Sequence, residues 1–101
     1  MILKNKFELL RDDLARFGIG KMQCFGDSML PLIYSGAYLT FQPAKSYYLG
    51  DMVFCLVDGY FIDAHKIIAI SPVNGYLIAD NHGNINGWTT EIYGKVIKIE
   101  Y

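Results

Sequence analysis

Gly26-Asp27-Ser28-Met29-Leu30-Pro31 is the segment whose residue types and spacing can do chemistry. A serine set among small and polar residues, with a proline three places on, belongs to an irregular turn and not to a strand interior. Such a turn exposes the hydroxyl and aims backbone N–H groups at one point. Acyl transfer needs both features, a nucleophile and donors for the oxyanion of the tetrahedral intermediate. Taken alone the signal is weak, because serine in a turn usually caps something. Other chemistries lack their pattern. Cys24, Cys55, His65 and His82 show no metal-ligand spacing, and no glycine-rich phosphate loop is present, so no metal and no cofactor are expected.

The elements that must position this turn follow from composition and periodicity. The chain has 101 residues, 52% hydrophobic and 19% charged, with a net charge of −1. Those values suit one packed domain over 1–101 and argue against disorder. No basic run calls for nucleic acid. No segment reaches the ~18 apolar residues of a membrane span, and the charged N-terminal residues do not read as a signal peptide. The expected setting is therefore cytoplasmic, with no membrane span. Cys24 and Cys55 read as two buried thiols, with a single disulfide as the alternative.

From about Lys4 to Phe17, apolar residues at Phe7, Leu10, Leu14 and Phe17 line one helical face, which Leu3 extends, and Gly18 and Gly20 supply a stop. Residues 1–20 thus form an N-terminal helix and connector, and 21–101 a β core. Strands are expected over Ala37–Gln42, Met52–Val57, Tyr60–Ile70, Tyr76–Ala79 and Lys95–Tyr101, with a tight turn at Asp58-Gly59 and a polar loop over Asn81–Gly87. Alternation puts Ile97, Ile99 and Tyr101 on one face of the last strand, and Val96, Lys98 and Glu100 on the other. Tyr34, Tyr38, Tyr47, Tyr48 and Tyr60 suit either a peptide groove or a small β core.

Beyond the serine box the chain carries Gly50-Asp51-Met52-Val53, Val57-Asp58-Gly59, His65-Lys66-Ile67-Ile68, Ala79-Asp80-Asn81 and Tyr93-Gly94-Lys95-Val96. In this order the boxes resemble the clan of serine peptidases that holds the signal peptidases and the self-cleaving SOS repressors. The resemblance runs from Gly26 to the end of the sequence. It implies a mainly β, coiled-ribbon or barrel-like domain with one short N-terminal helix. It also implies hydrolysis of a peptide bond in a peptide or protein substrate, with small residues preferred beside the cut. Ser28 falls at the nucleophile position and His65 at the base position, with Lys66 the alternative base. Gly26, Asp27 and Met29 support the oxyanion, which is left to backbone N–H groups including that of Ser28.

Adjacent strand residues point to opposite faces, so only one of His65 and Lys66 can serve. Alternation groups His65 with Phe61, Asp63, Ile67 and Ala69, and Lys66 with Ile62, Ala64, Ile68 and Ile70. A histidine is favoured because an ordinary imidazole is largely neutral at pH 7, whereas a lysine must be desolvated to act as a base; a bulge in this strand would reverse the choice. The aspartate that orients the base in histidine-type members is matched here by Asn86, and the serine of the bacterial type by Asn84. Asp80 is the substitute carboxylate, with turn-making as its other role. No Ala-Gly or Cys-Gly bond precedes Ser28, so self-cleavage is not expected. The competing reading is an inactive descendant that binds peptides or proteins. The sequence leaves the oligomeric state open, a homodimer included.

Overall fold

A computed structural model describes residues 3–101; Met1 and Ile2 of the N-terminal segment lie outside it. Helix α1 spans Lys6–Phe17. Its start is fixed by a capping box in which the Asn5 side chain accepts from the Glu8 N–H while the Glu8 carboxylate accepts from the Asn5 N–H. It ends at Gly18, whose φ of 70° needs no Cβ. Leu10 and Leu14 are buried. Phe17 and Leu3 are exposed, so the apolar stripe is shorter than its periodicity suggests.

Seven strands follow: β1 (Gly20–Gln23), β2 (Tyr38–Gln42), β3 (Met52–Val57), β4 (Tyr60–Ser71), β5 (Gly75–Ala79), β6 (Ile85–Thr89) and β7 (Ile92–Glu100). They form one antiparallel sheet in the order β1-β2-β7-β3-β4-β5-β6, and 46% of the chain is strand. The sheet curls into a half-barrel. Its curvature brings β6 across to the end of β3, where the Thr89 hydroxyl donates to the Leu56 carbonyl at 2.5 Å. Gly87 is required at this closure: its φ is 138°, and a Cβ would lie 3.1 Å from a Val57 methyl.

Two apolar clusters sandwich the centre of the sheet. Phe54 belongs to the first, with Leu10, Leu14, Leu39, Phe41 and Ala64; Val53 and Cys55 belong to the second, with Tyr47, Ile67 and Ile78. Strand β3 is therefore covered on both faces, which explains its uninterrupted apolar run. Cys24 and Cys55 are free and buried. Burial pushes both thiols up, Cys55 to about 12, so neither is a thiolate at neutral pH.

The sequence expectations fail where strands bulge. On β4, Val53 pairs with His65 and Phe54 with Asp63, which leaves Ala64 unpaired at a φ of 67°. Phe61 and Ala64 consequently pack in the first cluster, and Ile62 and Ile67 in the second, so the expected grouping of Phe61 with Ile67 is overturned. On β7, Thr40 pairs with Lys98 and Phe41 with Val96, skipping Ile97. Val96 and Ile99 therefore share the first cluster, instead of lying on opposite faces, while Ile97 is exposed. The segment over Asn81–Gly87 is not a loop throughout, since β6 begins at Ile85.

Phe54 is fully buried, and its ring centroid lies 5.2–6.5 Å from those of Tyr93, Phe61, Phe41 and Phe7. Truncation to Ala should cost about 3–5 kcal/mol, from lost transfer energy plus a cavity. Urea unfolding measures this, and a loss below about 1 kcal/mol would show that the ring is not the packing centre.

Candidate functional site

Ser28 lies in the connection between β1 and β2. The neck of that connection is closed by Cys24 N–H to the Ala37 carbonyl and Gly36 N–H to the Cys24 carbonyl, both 2.8 Å. The Gly26 N–H donates to the Ser35 hydroxyl at 3.0 Å. Buried Met29 and Ile33 nail the connection to the first cluster. Between them the chain makes helical turns: Leu30 N–H donates to the Asp27 carbonyl at 3.2 Å, and Ile33 N–H to the Met29 carbonyl at 3.1 Å. As in the first turn of a helix, the leading N–H groups are left over. Those of Ser28 and Met29 make no hydrogen bond among the described residues.

The Ser28 hydroxyl lies 3.0 Å from Nε2 of His65. The other ring nitrogen, Nδ1, lies 2.7 Å from Oδ1 of Asn86. An amide oxygen only accepts, so Nδ1 carries the proton and Nε2 presents its lone pair to the Ser28 O–H. Both partners of this relay sit at irregularities. His65 directly follows the Ala64 bulge, and Asn86 is the residue skipped on β6, where Ile78 pairs with Gly87 and Ala79 with Ile85. The Ala64 bulge lies N-terminal to both basic residues, so it turns them together and leaves them on opposite sides. It does not hand the serine contact to Lys66. The Lys66 ammonium instead donates to Oδ1 of Asn81 at 2.8 Å.

Asp80 does not meet His65 through a hydrogen bond. Its carboxylate accepts from the N–H groups of His82 and Asn84 at 2.8 and 2.9 Å, and from the Asn84 side chain at 2.8 Å. The Asn84 amide, those two N–H groups and the charge of His65 hold the Asp80 carboxyl down at about 2. Asp80 thus builds the β5–β6 loop, and Asn86 occupies the position beside the imidazole. The roles of Asn81 and His82 carry only a faint sequence signal, a short polar run between two strands. The Asn81 N–H donates to the Ser28 carbonyl at 2.9 Å, its side chain to the Leu30 carbonyl at 2.8 Å, and Nε2 of His82 lies 3.1 Å from the Asp27 carbonyl.

Next to the hydroxyl is a hollow lined by Cys24, Gly26, Ser28, Met29, Asp63 and Ala64, with about 20 Å³ of free space. Asp63 and Ala64 are consecutive and line it together, at the bulge. That space admits something of the size of one water or a small side chain. Of the tyrosines singled out in the sequence, Tyr34 lines this hollow, Tyr47 packs in the second cluster, and Tyr38, Tyr48 and Tyr60 are exposed. Among the described residues no group of acidic, histidine or cysteine side chains is arranged to hold a metal, and no helix is long and apolar enough to cross a membrane.

A scan against protein-family models and a search of curated proteins gave no match.

Because the Asp80 carboxyl titrates below its ordinary value, the folded state favours its ionised form. Its contribution to stability is complete above about pH 4 and disappears as the pH falls toward about 2. Thermal melts from pH 5 to pH 1.5 should show this loss in the native chain and a flatter acid limb in Asp80→Asn. Identical limbs would contradict the assignment.

Proposed function

We propose that the chain is a serine peptidase of the signal-peptidase and SOS-repressor type, with its curled sheet a version of that coiled β-ribbon fold. The observation that carries the reading is the hydroxyl–imidazole contact of 3.0 Å, backed by the 2.7 Å contact from the ring to Asn86. A nucleophile, a base within hydrogen-bond reach and a third group orienting the base are the parts that nucleophilic acyl transfer requires.

In this mechanism Ser28 Oγ attacks the scissile carbonyl carbon while His65 Nε2 takes the hydroxyl proton. The free N–H groups of Ser28 and Met29 receive the oxyanion, where a single donor is worth about 10²–10³ in rate. Collapse breaks the C–N bond, and the imidazolium returns the proton to the leaving amine. Water then attacks the acyl-Ser28 ester, with the same nitrogen first accepting its proton and then giving it to Ser28. The substrate is a peptide or protein with a small side chain next to the cut, in keeping with the 20 Å³ hollow. No cofactor takes part in these steps.

Asn86 favours a second reading, that of an inactive domain which binds peptides. It fixes the tautomer, but brings no charge to stabilise the imidazolium. A fluorophosphonate probe separates the two. Labelling that vanishes in Ser28→Ala and falls by about 10²–10⁴ in His65→Ala supports the hydrolase; a native chain unlabelled across pH 5–10 supports the binding module. In the labelled case, Asn86→Asp should raise the plateau rate about tenfold or more. It should also move the acid limb of the pH–rate profile to higher pH, because a carboxylate favours the protonated ring. An unchanged profile would show that Asn86 does not act on the imidazole.

A further inference from the structure

The three contacts that residues 81 and 82 make to the serine turn all fall on main-chain carbonyls: Asp27 O, Ser28 O and Leu30 O. In a trans peptide the C=O and the following N–H are antiparallel. Capturing the Asp27 carbonyl therefore fixes the direction of the Ser28 N–H, and capturing the Ser28 carbonyl fixes that of the Met29 N–H. Both carbonyls face the same loop, so both N–H groups are turned away from it. These are the two donors flanking the nucleophile that make no other hydrogen bond among the described residues.

We propose that Asn81, anchored by Lys66, is a positioning residue: its side chain, tied to Lys66 and the Leu30 carbonyl, holds the loop main chain against the turn, so that the Asn81 N–H fixes the Ser28–Met29 peptide plane and aims the Met29 donor, while His82 holds the plane of the Ser28 donor. This deepens the hydrolase reading and rests on it. The anchoring is directional. The Lys66 ammonium donates to Oδ1 of Asn81 at 2.8 Å, which leaves Nδ2 to donate to the Leu30 carbonyl, also at 2.8 Å. A flipped amide would set two donors against each other at Lys66 and two acceptors at Leu30. The lysine thus locks the one amide orientation that can hold the turn. It sits beside the base on β4, so one strand supplies the proton acceptor through His65 and, through Lys66, the brace for the donors. The Asp80 turn completes the device by rigidifying the loop that carries Asn81. Lys66 then acts through Asn81 and the main chain, without touching the reacting atoms.

The test compares Asn81→Ala, Lys66→Met and Lys66→Arg in two readouts, fluorophosphonate labelling rate against pH and ¹⁵N relaxation of the Ser28 and Met29 amides. Positioning predicts that Asn81→Ala and Lys66→Met each lower the plateau labelling rate about 10- to 100-fold. The midpoint of the pH profile should stay in place, and the amides of the turn, that of Met29 above all, should become more mobile. The double variant should be no worse than Asn81→Ala, because both changes break one chain of contacts. Lys66→Arg keeps a donor and should restore most of the rate. Overturning results are an arginine variant as inactive as Lys66→Met together with a displaced pH profile, which would make Lys66 the base, or amides whose order parameters do not change in Asn81→Ala. If the native chain takes no label, the hydrolase reading fails on its own account. The brace is then judged by the amides alone, loosening supporting it and unchanged order parameters refuting it.

Discussion

A single contact joins two parts of the molecule that are far apart in sequence: the Ser28 hydroxyl against Nε2 of His65, 3.0 Å apart across a separation of 37 residues. For that contact to exist, a turn between two edge-side strands must be pressed onto the middle of the sheet. Apolar burial of Met29 and Ile33 supplies the pressing force, and the carbonyl contacts from the β5–β6 loop supply the orientation. Neither is sufficient alone. Hydrophobic packing is non-directional and would let the turn rotate, whereas hydrogen bonds between exposed loops are worth only ~1 kcal/mol each and would not hold it down.

Irregular strands deliver the remaining parts. The hollow is lined by both Asp63 and Ala64 beside the strand position that presents His65 to the serine. At this point β4 bulges, with Ala64 at a positive φ, a conformation that costs an alanine of order 1–3 kcal/mol. The second bulge, at Asn86, turns that side chain toward the same imidazole. A strained residue directly before the histidine of a hydrogen-bonded relay fits a pre-organised site, since the packed core around β3 and β4 holds a conformation that an isolated hairpin would relax.

Much of this was legible from the residues. The helix announces itself by period and stop signal, β3 by its apolar run, and the serine turn by its small residues and proline. Placing His65 opposite Ser28 needed the resemblance, because a lone strand histidine carries no mark of its own. What stayed hidden were the bulges. Alanine at a left-handed position gives no sequence signal of the sort that glycine gives, so strict alternation mis-sorted β4 after Ala64, and on β7 the skipped Ile97 is marked by no glycine or proline either. The same blindness turned β6 into a loop: Asn84, Asn86, Gly83 and Gly87 read as turn residues, yet Ile85–Thr89 pair with β5 through the register shift at Asn86. Lys66 and Asn81 were visible as polar residues, but the link between them depends on β4 and the β5–β6 loop meeting in space.

The most direct test of the account is the protonation state of the two His65 ring nitrogens, read from long-range ¹H–¹⁵N spectra of the native chain at pH 8. The account predicts a neutral ring with its proton on Nδ1, facing Asn86, and an unprotonated Nε2 facing Ser28. A ring protonated on Nε2 instead would point its N–H at the hydroxyl, leave no acceptor for the serine proton, and contradict the relay from which every later step follows.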